Sequence, residues 1–332
     1  MKLQILILLL LAYGFTMCRK PAAYFYNEGY IYGTIYHVVY ESPEGEDFHE
    51  EIKYYLDEYN KIFSTYDSTS QISKVNNNRP VQLDDLFLRC FKRSIEISEI
   101  TGGAFDITAG PLVNAWGFGP DSKSIMTQNK VDSLKRLTGY RKVELRDGRI
   151  IKEYPEMKLD MSAIAKGFTS DLLAEFLKAK GCRNYMVEIG GEVVAKGMNE
   201  KGKVWTIGIS RPDEMAFFAS TDIQAKVKLA DNALATSGNY RNFYVEDGKK
   251  YAHTIDPMSG YPVQHSLLST TVIADSCIDA DAFATAFMVM GLEKSIETAR
   301  NIPGLKVYFI YAGEGGEHQF YMSENFKEYL GQ

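Results

Sequence analysis

Asp281 and Thr285 stand out in the largely apolar segment "DADAFATAFMVMG" (Asp279–Gly291). Asp281 and Thr285 are four residues apart, so on a helix their side chains lie on one face, one turn apart. Burying such groups without partners is unfavourable, by about 1–3 kcal/mol for an unpaired hydroxyl alone. The pair therefore indicates that some partner satisfies both groups.

Five further stretches are polar or contain glycines where packing alone does not require them. They are "FSTYDSTSQISKVN", "TGGAFDITAGPLVNAWGFGP", "KLDMSAIAKGF", "VEIGGEVVAKG" and the pair "ATSGNYR" and "YAHTIDPMSGYPV". The adjacent glycines Gly190 and Gly191 favour a bulge or a tight turn, although they also allow a ligand to approach the backbone. No G-x-G-x-x-G or Walker A sequence occurs, so phosphate recognition of those two kinds is not indicated.

Two of these stretches leave structural and functional interpretations open. Asp106 is followed by an aromatic loop with Trp116 and Phe118, which fits a hydrophobic core as well as a grip on a heterocycle. His253 is one of five histidines, and by itself it is more typical of a surface or hydrogen-bonded residue than of a catalyst. No Ser-His-Asp or Cys-His set can be assigned from spacing, because triads are recognised by geometry.

The composition is that of a globular protein. The 332 residues are 45% hydrophobic and 24% charged, with a formal net charge of −6 and no long basic run, so we expect no nucleic-acid partner. Apart from Cys18, the cysteines are widely spaced without a C-x-x-C motif. Neither a zinc site nor a disulfide framework is indicated, and we expect buried thiols.

The N-terminus, "MKLQILILLLLAYGFTMC", resembles a bacterial lipoprotein signal. Lys2 precedes an apolar run from Ile5 to Leu11 that is too short to span a bilayer, and Cys18 follows it. Met17 departs from the small residue usual at that position. We predict a signal peptide at residues 1–17, a lipid-anchor tether at 18–28 and one domain at 29–332. The protein is then exported and lipid-anchored to a bacterial membrane, facing the periplasm or the cell exterior.

The order of predicted elements favours an α+β fold. Tyr30–Tyr40 is typical of a strand, and helical periodicity follows in "DFHEEIKYYLDEYNKIF" and "LDDLFLRCFKRSIEISEI". Asp147-Gly148 predicts a hairpin, and a third helix is expected to open at Ser162 and to close at Gly181. Strand-like segments follow, so we expect mixed, largely antiparallel sheets with packed helices.

In their order along the chain, these stretches resemble the ApbE family of FAD:protein FMN transferases. The similarity extends from "YIYGTIY" through "GAFDITAGPLVNAWGFG", "LDMSAIAKG", "VEIGGE", "SGNYR" and "HTIDPMSG" to "DAFAT". Each motif alone is weak, whereas the ordered series is highly specific. The resemblance implies an ApbE-like fold, related to the T-fold.

The resemblance also assigns site residues. It makes Asp281 and Thr285 ligands to Mg²⁺, with the main-chain oxygen of Ala163 as a third ligand, and such hard oxygen donors suit this ion. Some members carry a second Asp just before the Thr, where this chain has Ala284, so its site is expected to be less charged. His253 matches the family's general base. The implied FAD contacts are Tyr32 (Met in some members), Tyr66, Ala104, Phe105, Asp106, Asp160, Lys166 and Ile255.

The implied reaction is Mg²⁺-dependent transfer of FMN from FAD to a hydroxyl, with release of AMP. The acceptors are Thr or Ser residues in flavinylation motifs of target flavoprotein subunits. Two alternatives remain. A Mg²⁺-dependent FAD pyrophosphatase uses the same ligands but lets water attack, giving FMN and AMP. A non-enzymatic flavin-binding lipoprotein needs neither Asp281 nor His253, so their presence favours an enzyme.

Overall fold

The structure is a computed structural model that describes residues 21–120, 122–212, 223–239, 243–246 and 249–331. The predicted signal peptide and Cys18 lie outside these residues. Within them, no helix has the length and apolar character needed to cross a membrane.

An eight-stranded antiparallel sheet organises the chain, with the strand order β1-β2-β5-β6-β9-β12-β13-β14. The remaining strands form the two-stranded ribbons β3–β4, β7–β8 and β10–β11. The strands are β1 (Ala23–Ile31), β2 (Thr34–Ser42), β3 (Val143–Arg146), β4 (Arg149–Lys152), β5 (Tyr185–Ile189), β6 (Glu192–Lys196), β7 (Trp205–Ser210), β8 (Ile223–Leu229), β9 (Asn232–Gly238), β10 (Phe243–Glu246), β11 (Lys249–Ala252), β12 (Leu267–Ala274), β13 (Lys306–Ala312) and β14 (His318–Met322).

The helices are α1 (His49–Phe63), α2 (Gln71–Asn76), α3 (Asp85–Ile100), α4 (Gly110–Ala115), α5 (Gln128–Arg136), α6 (Ala165–Ala179), α7 (Cys277–Met290) and α8 (Leu292–Arg300), with 3-10 turns at Tyr140–Lys142 and Glu324–Tyr329. Of these, α1, α3, α6 and α7 pack on one face of the sheet, whereas α4 and α5 pack against each other in a separate cluster. The main core lies between this face and the helices, where Val38 and Val187 of the sheet meet Leu173 of α6 and Phe283 of α7. The predicted α+β class is confirmed.

The opposite face of the sheet carries the β7–β8 ribbon. Trp205 and Ile209 of β7 pack with Val193 of β6 and Leu234 of β9 in a second, smaller core. Strands β6 and β9, at the centre of the sheet, therefore send alternate residues to the helices and to the ribbon, as the two-residue period of a strand requires.

Several predicted elements are confirmed. The first two helical segments are α1 and α3, and Asp147 and Gly148, with φ of 50° and 71°, form the turn between β3 and β4. Left-handed φ at both positions is the requirement of a tight hairpin turn. Cys90, Cys182 and Cys277 are buried free thiols, as expected.

Three boundaries were wrong. Residues 30–40 are not one strand, because Tyr32 and Gly33 adopt φ of 54° and 76° and turn the chain from β1 into β2. The sheet starts at Ala23, which pairs with Ser42, so the tether does not extend to residue 28. Ser162 does not open the third helix, which begins after Ile164 without a side-chain cap.

Candidate functional site

All twelve residues singled out from the sequence line one cavity of about 1020 Å³. They come from loops and from the helices α6 and α7, which are distant in sequence, and the fold brings them together beside the turn that joins β5 to β6. The twelve are Tyr32, Tyr66, Ala104, Phe105, Asp106, Asp160, Ala163, Lys166, His253, Ile255, Asp281 and Thr285.

Close contact between α6 and α7 positions Asp281. The backbone N–H of Gly167 donates a 2.9 Å hydrogen bond to Asp281 Oδ2. A Cβ at Gly167 would lie 2.3 Å from Cys277 O and 2.7 Å from Asp281 Cβ, so only glycine permits this approach. Asp171 accepts hydrogen bonds from the N–H groups of Cys277 and Ile278 and thereby caps the first turn of α7.

A buried charge cluster forms the cavity wall beside Asp281. Lys166 Nζ lies 2.7 Å from Glu192 Oε1 and 4.0 Å from Asp281 Oδ2. Burial opposes the charge on Lys166, but attraction to Asp281 and then Glu192 outweighs it and raises the pKa of this lysine. Burial raises the pKa of Glu192 to about 8, although Lys166 acts against this shift.

Glu192 is a site residue that the sequence did not single out. The residue is 5% exposed and lines the cavity, and its Oε2 atom is buried without a hydrogen-bond partner. The motif "VEIGGE" contained it, but no local signal showed that this carboxylate turns towards α6. An unpaired buried oxygen at a cavity wall indicates that its hydrogen-bond partner is supplied from outside the chain.

Thr285 lies on the same wall, one turn beyond Asp281. Its hydroxyl is 3.3 Å from Ser237 Oγ of β9. Gly167 and Ser237 are thus hydrogen-bond partners, from outside helix α7, for Asp281 and Thr285. Carboxylate, hydroxyl and the main-chain oxygen of Ala163 are hard oxygen donors, so the three residues fit Mg²⁺ with water and phosphate oxygens as further ligands. Across the described ranges, no group of three or more His, Cys, Asp or Glu side chains is placed to hold a metal.

Asp106 is held in a fixed orientation in the loop after α3. Its carboxylate accepts hydrogen bonds from the N–H and hydroxyl of Thr108 and from the N–H of Tyr140. Burial raises the pKa of Asp106, although these hydrogen bonds favour the charged form. Phe105 is buried beside it, whereas Tyr66 is 74% exposed at the cavity mouth.

The sequence left open whether the aromatic loop after Asp106 belongs to the core or contacts a ligand, and the structure gives its two aromatic residues different positions. Trp116 is buried, stacks on Tyr251 and donates from Nε1 to Gly260 O at 2.9 Å, which is a structural role. Phe118 lines the cavity and makes an edge contact with the His253 ring at a centroid distance of 6.3 Å. His253 is therefore at the cavity wall rather than on an outer surface.

The paired glycines serve both as a turn and as cavity wall. Gly190 and Gly191 have φ of 65° and 105° and connect β5 to β6. Both line the cavity, and a Cβ at Gly191 would meet no atom within 4 Å. The turn explains the glycines, and the open space beside Gly191 leaves the backbone accessible to a ligand.

Comparison with known proteins finds relatives that match this chain over most of its length. A sequence model of the ApbE family matches residues 32–309. The FAD:protein FMN transferase of Vibrio cholerae is 36% identical to this chain, and the alignment covers 94% of this chain and 95% of the relative. The FAD:protein FMN transferase of Haemophilus influenzae is also 36% identical, and that alignment covers 92% of each protein.

Solved structures agree. The flavin transferase ApbE from Vibrio cholerae superposes with a TM-score of 0.84 at 35% identity, covering 93% of this chain and 100% of its own. The flavinyl transferase ApbE of Pseudomonas stutzeri, in its apo form, gives 0.82 at 33% identity, covering 94% and 98%. The chain belongs to the ApbE family.

Proposed function

We propose that this protein is an FAD:protein FMN transferase that moves FMN from FAD to a Thr or Ser hydroxyl of a target flavoprotein and releases AMP. The activity is the one for which its relatives are named. The observation that carries the proposal is the single cavity shared by the twelve residues, from the oxygen donors Asp281 and Thr285 to His253.

The chain's own residues supply proton transfer and positioning. The acceptor oxygen attacks the phosphorus on the FMN side, the bond from that phosphorus to the AMP oxygen breaks, and AMP departs. His253 takes the acceptor's proton, since imidazole titrates near neutral pH. Lys166, fixed by Glu192, presents positive charge at the wall where the diphosphate binds. Holding both reactants in place contributes roughly 7–11 kcal/mol in favourable cases.

Mg²⁺ is part of this proposal, held by Asp281, Thr285 and the main-chain oxygen of Ala163. When bound there, the ion would supply positive charge to offset the negative charge of the diphosphate and of the departing AMP.

One assay separates transfer from its alternatives. The purified protein is incubated with FAD, Mg²⁺ and a panel of apo flavoprotein subunits from the same genome, and products are separated on a denaturing gel and by chromatography. Transfer gives a flavin-fluorescent protein band with one AMP per flavin attached. Free FMN and AMP without a labelled band mean hydrolysis, and intact bound FAD means carriage. Either of these results overturns the proposal.

We also propose that the protein is exported and anchored to a bacterial membrane by lipid on Cys18. The short apolar run ending at this cysteine supports the proposal. Cys18→Ser is expected to release the protein from the membrane fraction or to block its maturation. A Cys18→Ser protein that matures and sediments with membranes like the wild type would show that Cys18 is not the anchor.

A further inference from the structure

The cavity continues beyond the twelve site residues, around the Gly190–Gly191 turn and onto the opposite face of the sheet. There, Ile35 and His37 of β2 and Glu188 of β5 form the floor of the cavity, and residues 206–209 of β7 form its wall. We call this part the trough. None of the twelve residues with an implied role lies in it, so the catalytic assignments leave the trough without a function.

The wall of the trough is an unpaired strand edge. In the described part of the chain, β7 pairs only with β8, where Gly208 lies opposite Lys226 and Thr206 opposite Lys228. Lys226 O accepts a 2.8 Å hydrogen bond from Gly331 N on the far side of β8, so it points away from β7. In an antiparallel ladder the two residues of such a pair both direct their backbone groups outwards. The N–H and C=O of Gly208, and by the same alternation those of Thr206, therefore point into the trough.

An acidic row crosses the floor of the trough and continues onto β1, where Glu28 lies next to His37 but outside the cavity lining. Glu28 of β1, His37 of β2 and Glu188 of β5 are neighbours across three strands. His37 Nδ1 lies 2.6 Å from Glu188 Oε2, and its Nε2 lies 3.8 Å from Glu28 Oε2. Two carboxylates face one imidazole, so the row favours a partner with a basic side chain. Ile35, 54% exposed, adds an apolar contact nearer the turn.

We infer that the trough binds the acceptor protein as an extended segment that pairs with the free edge of β7 and carries a basic residue over the acidic row. This rests on the proposed FMN transfer. A strand edge with outward N–H and C=O groups recognises an extended backbone, while the floor selects side chains. The trough leads to the Gly190–Gly191 turn, so a segment lying in it delivers its hydroxyl residue to the side of the cavity that holds Asp281 and His253.

The backbone edge is tested by Thr206→Pro, which removes one outward N–H without cutting a bond to β8. Thr206→Val is the matched control, because it keeps the amide and the β-branched shape. FMN transfer is measured against the concentration of a purified apo flavoprotein subunit that the wild type labels, and FAD affinity is measured separately by flavin fluorescence. We expect Thr206→Pro to raise the KM for the subunit at least tenfold with unchanged FAD affinity, and Thr206→Val to match the wild type.

The floor and the acidic row that crosses it are tested by Ile35→Arg and Glu28→Lys, with Ile125→Arg as control at an exposed isoleucine outside the cavity. Both floor variants are expected to raise the KM for the subunit about fivefold or more, while the control leaves it unchanged. Wild-type KM values in Thr206→Pro and in both floor variants would overturn the inference. If Thr206→Pro fails to fold, the floor variants decide. Failure of the wild type to label any subunit would instead overturn the proposed function.

Discussion

Lys166 Nζ lies 2.7 Å from Glu192 Oε1, and this pair joins α6 to β6 at the cavity wall. The second oxygen of Glu192 has no partner, and burial raises the pKa of the carboxyl to about 8. Burial therefore favours the protonated form of Glu192, which leaves more of the Lys166 charge for an anionic ligand. The pair makes the charge of this wall depend on pH.

The first prediction is that Glu192→Gln removes a pH dependence of FAD binding. As pH rises through 8, ionised Glu192 adds negative charge beside the bound diphosphate, so the wild-type KM for FAD should rise roughly three- to tenfold. Glutamine mimics the protonated acid and should keep the KM constant from pH 7 to pH 9. Steady-state kinetics at fixed Mg²⁺ measure this. A wild-type KM that stays constant over the same range would contradict the assignment.

The second prediction separates chemistry from binding at His253. His253→Asn should slow FMN transfer by roughly 10²–10⁴ because the acceptor's proton has no base to receive it. FAD affinity should stay within a few-fold of the wild type. Single-turnover labelling of an acceptor subunit, alongside fluorescence titration with FAD, gives both quantities. Unchanged transfer in the variant would remove His253 from the mechanism.

The third prediction concerns pH and stability at Asp171, which caps α7. Burial raises its folded-state pKa to about 7, despite two backbone N–H donors, whereas the unfolded value is near 4. Between these values the unfolded chain releases the proton more readily than the folded one, so Asp171 makes stability fall as pH rises from about 4 to 7.

Asp171→Asn lacks this titration. Thermal melts at pH 5 and pH 8 should therefore show a larger fall in Tm for the wild type than for the variant. If the two proteins lose stability in parallel over this range, Asp171 titrates normally and its carboxylate is not held in a buried environment.

Local signals predicted the elements better than their boundaries. The period of apolar residues in α1 and the Asp147-Gly148 turn are properties of neighbouring residues, and both are confirmed. The turn at Tyr32 and Gly33 was missed because an aromatic, β-branched run surrounds it and Tyr32 adopts a φ of 54°, unusual for such a side chain. Because the residues on both sides are typical of strands, nothing in the sequence indicated that the chain reverses direction at this turn.

The arrangement of the candidate site depends on contacts between residues distant in sequence, which local sequence patterns do not contain. Asp281 and Thr285 stood out because they are polar in an apolar helix, whereas the assembly of twelve residues followed from a family resemblance. Glu192 was missed because only the pairing of β6 with β5 decides which face its carboxylate takes. The free edge of β7 likewise emerges only from the strand order.

The fourth prediction tests the close approach of α6 and α7. Gly167→Ala places a Cβ against the backbone of Cys277 and the Cβ of Asp281, neither of which can move freely, so the helices must separate. We expect a loss of about 1–3 kcal/mol in the free energy of unfolding, typical of overpacking. Gly315→Ala is the control, because a Cβ there would meet only the flexible carboxylate of Glu317. Denaturant unfolding measures the loss for both variants, and equal losses in free energy of unfolding would contradict a close approach of α6 and α7.

The last prediction distinguishes a metal ligand from a structural carboxylate at Asp281. Asp281→Asn keeps the size of the side chain and one oxygen acceptor but removes the negative charge. If Asp281 holds Mg²⁺, the variant should fold, need at least tenfold more Mg²⁺ for FMN transfer and lose the Mg²⁺-dependent part of its FAD affinity. Thr285→Val should act in the same direction but more weakly, because a neutral hydroxyl contributes less than a carboxylate to binding a divalent cation.

Two measurements make this comparison. A Mg²⁺ titration of FMN transfer reports the metal requirement, and thermal melts with Mg²⁺ or with EDTA report stability in each state. A ligand role predicts that the gap in Tm between wild type and Asp281→Asn is wider with Mg²⁺ than with EDTA, since only the wild type gains from bound metal. An equal gap in both conditions, together with wild-type Mg²⁺ dependence, would mean that Asp281 serves the contact with Gly167 alone and that Mg²⁺ binds elsewhere.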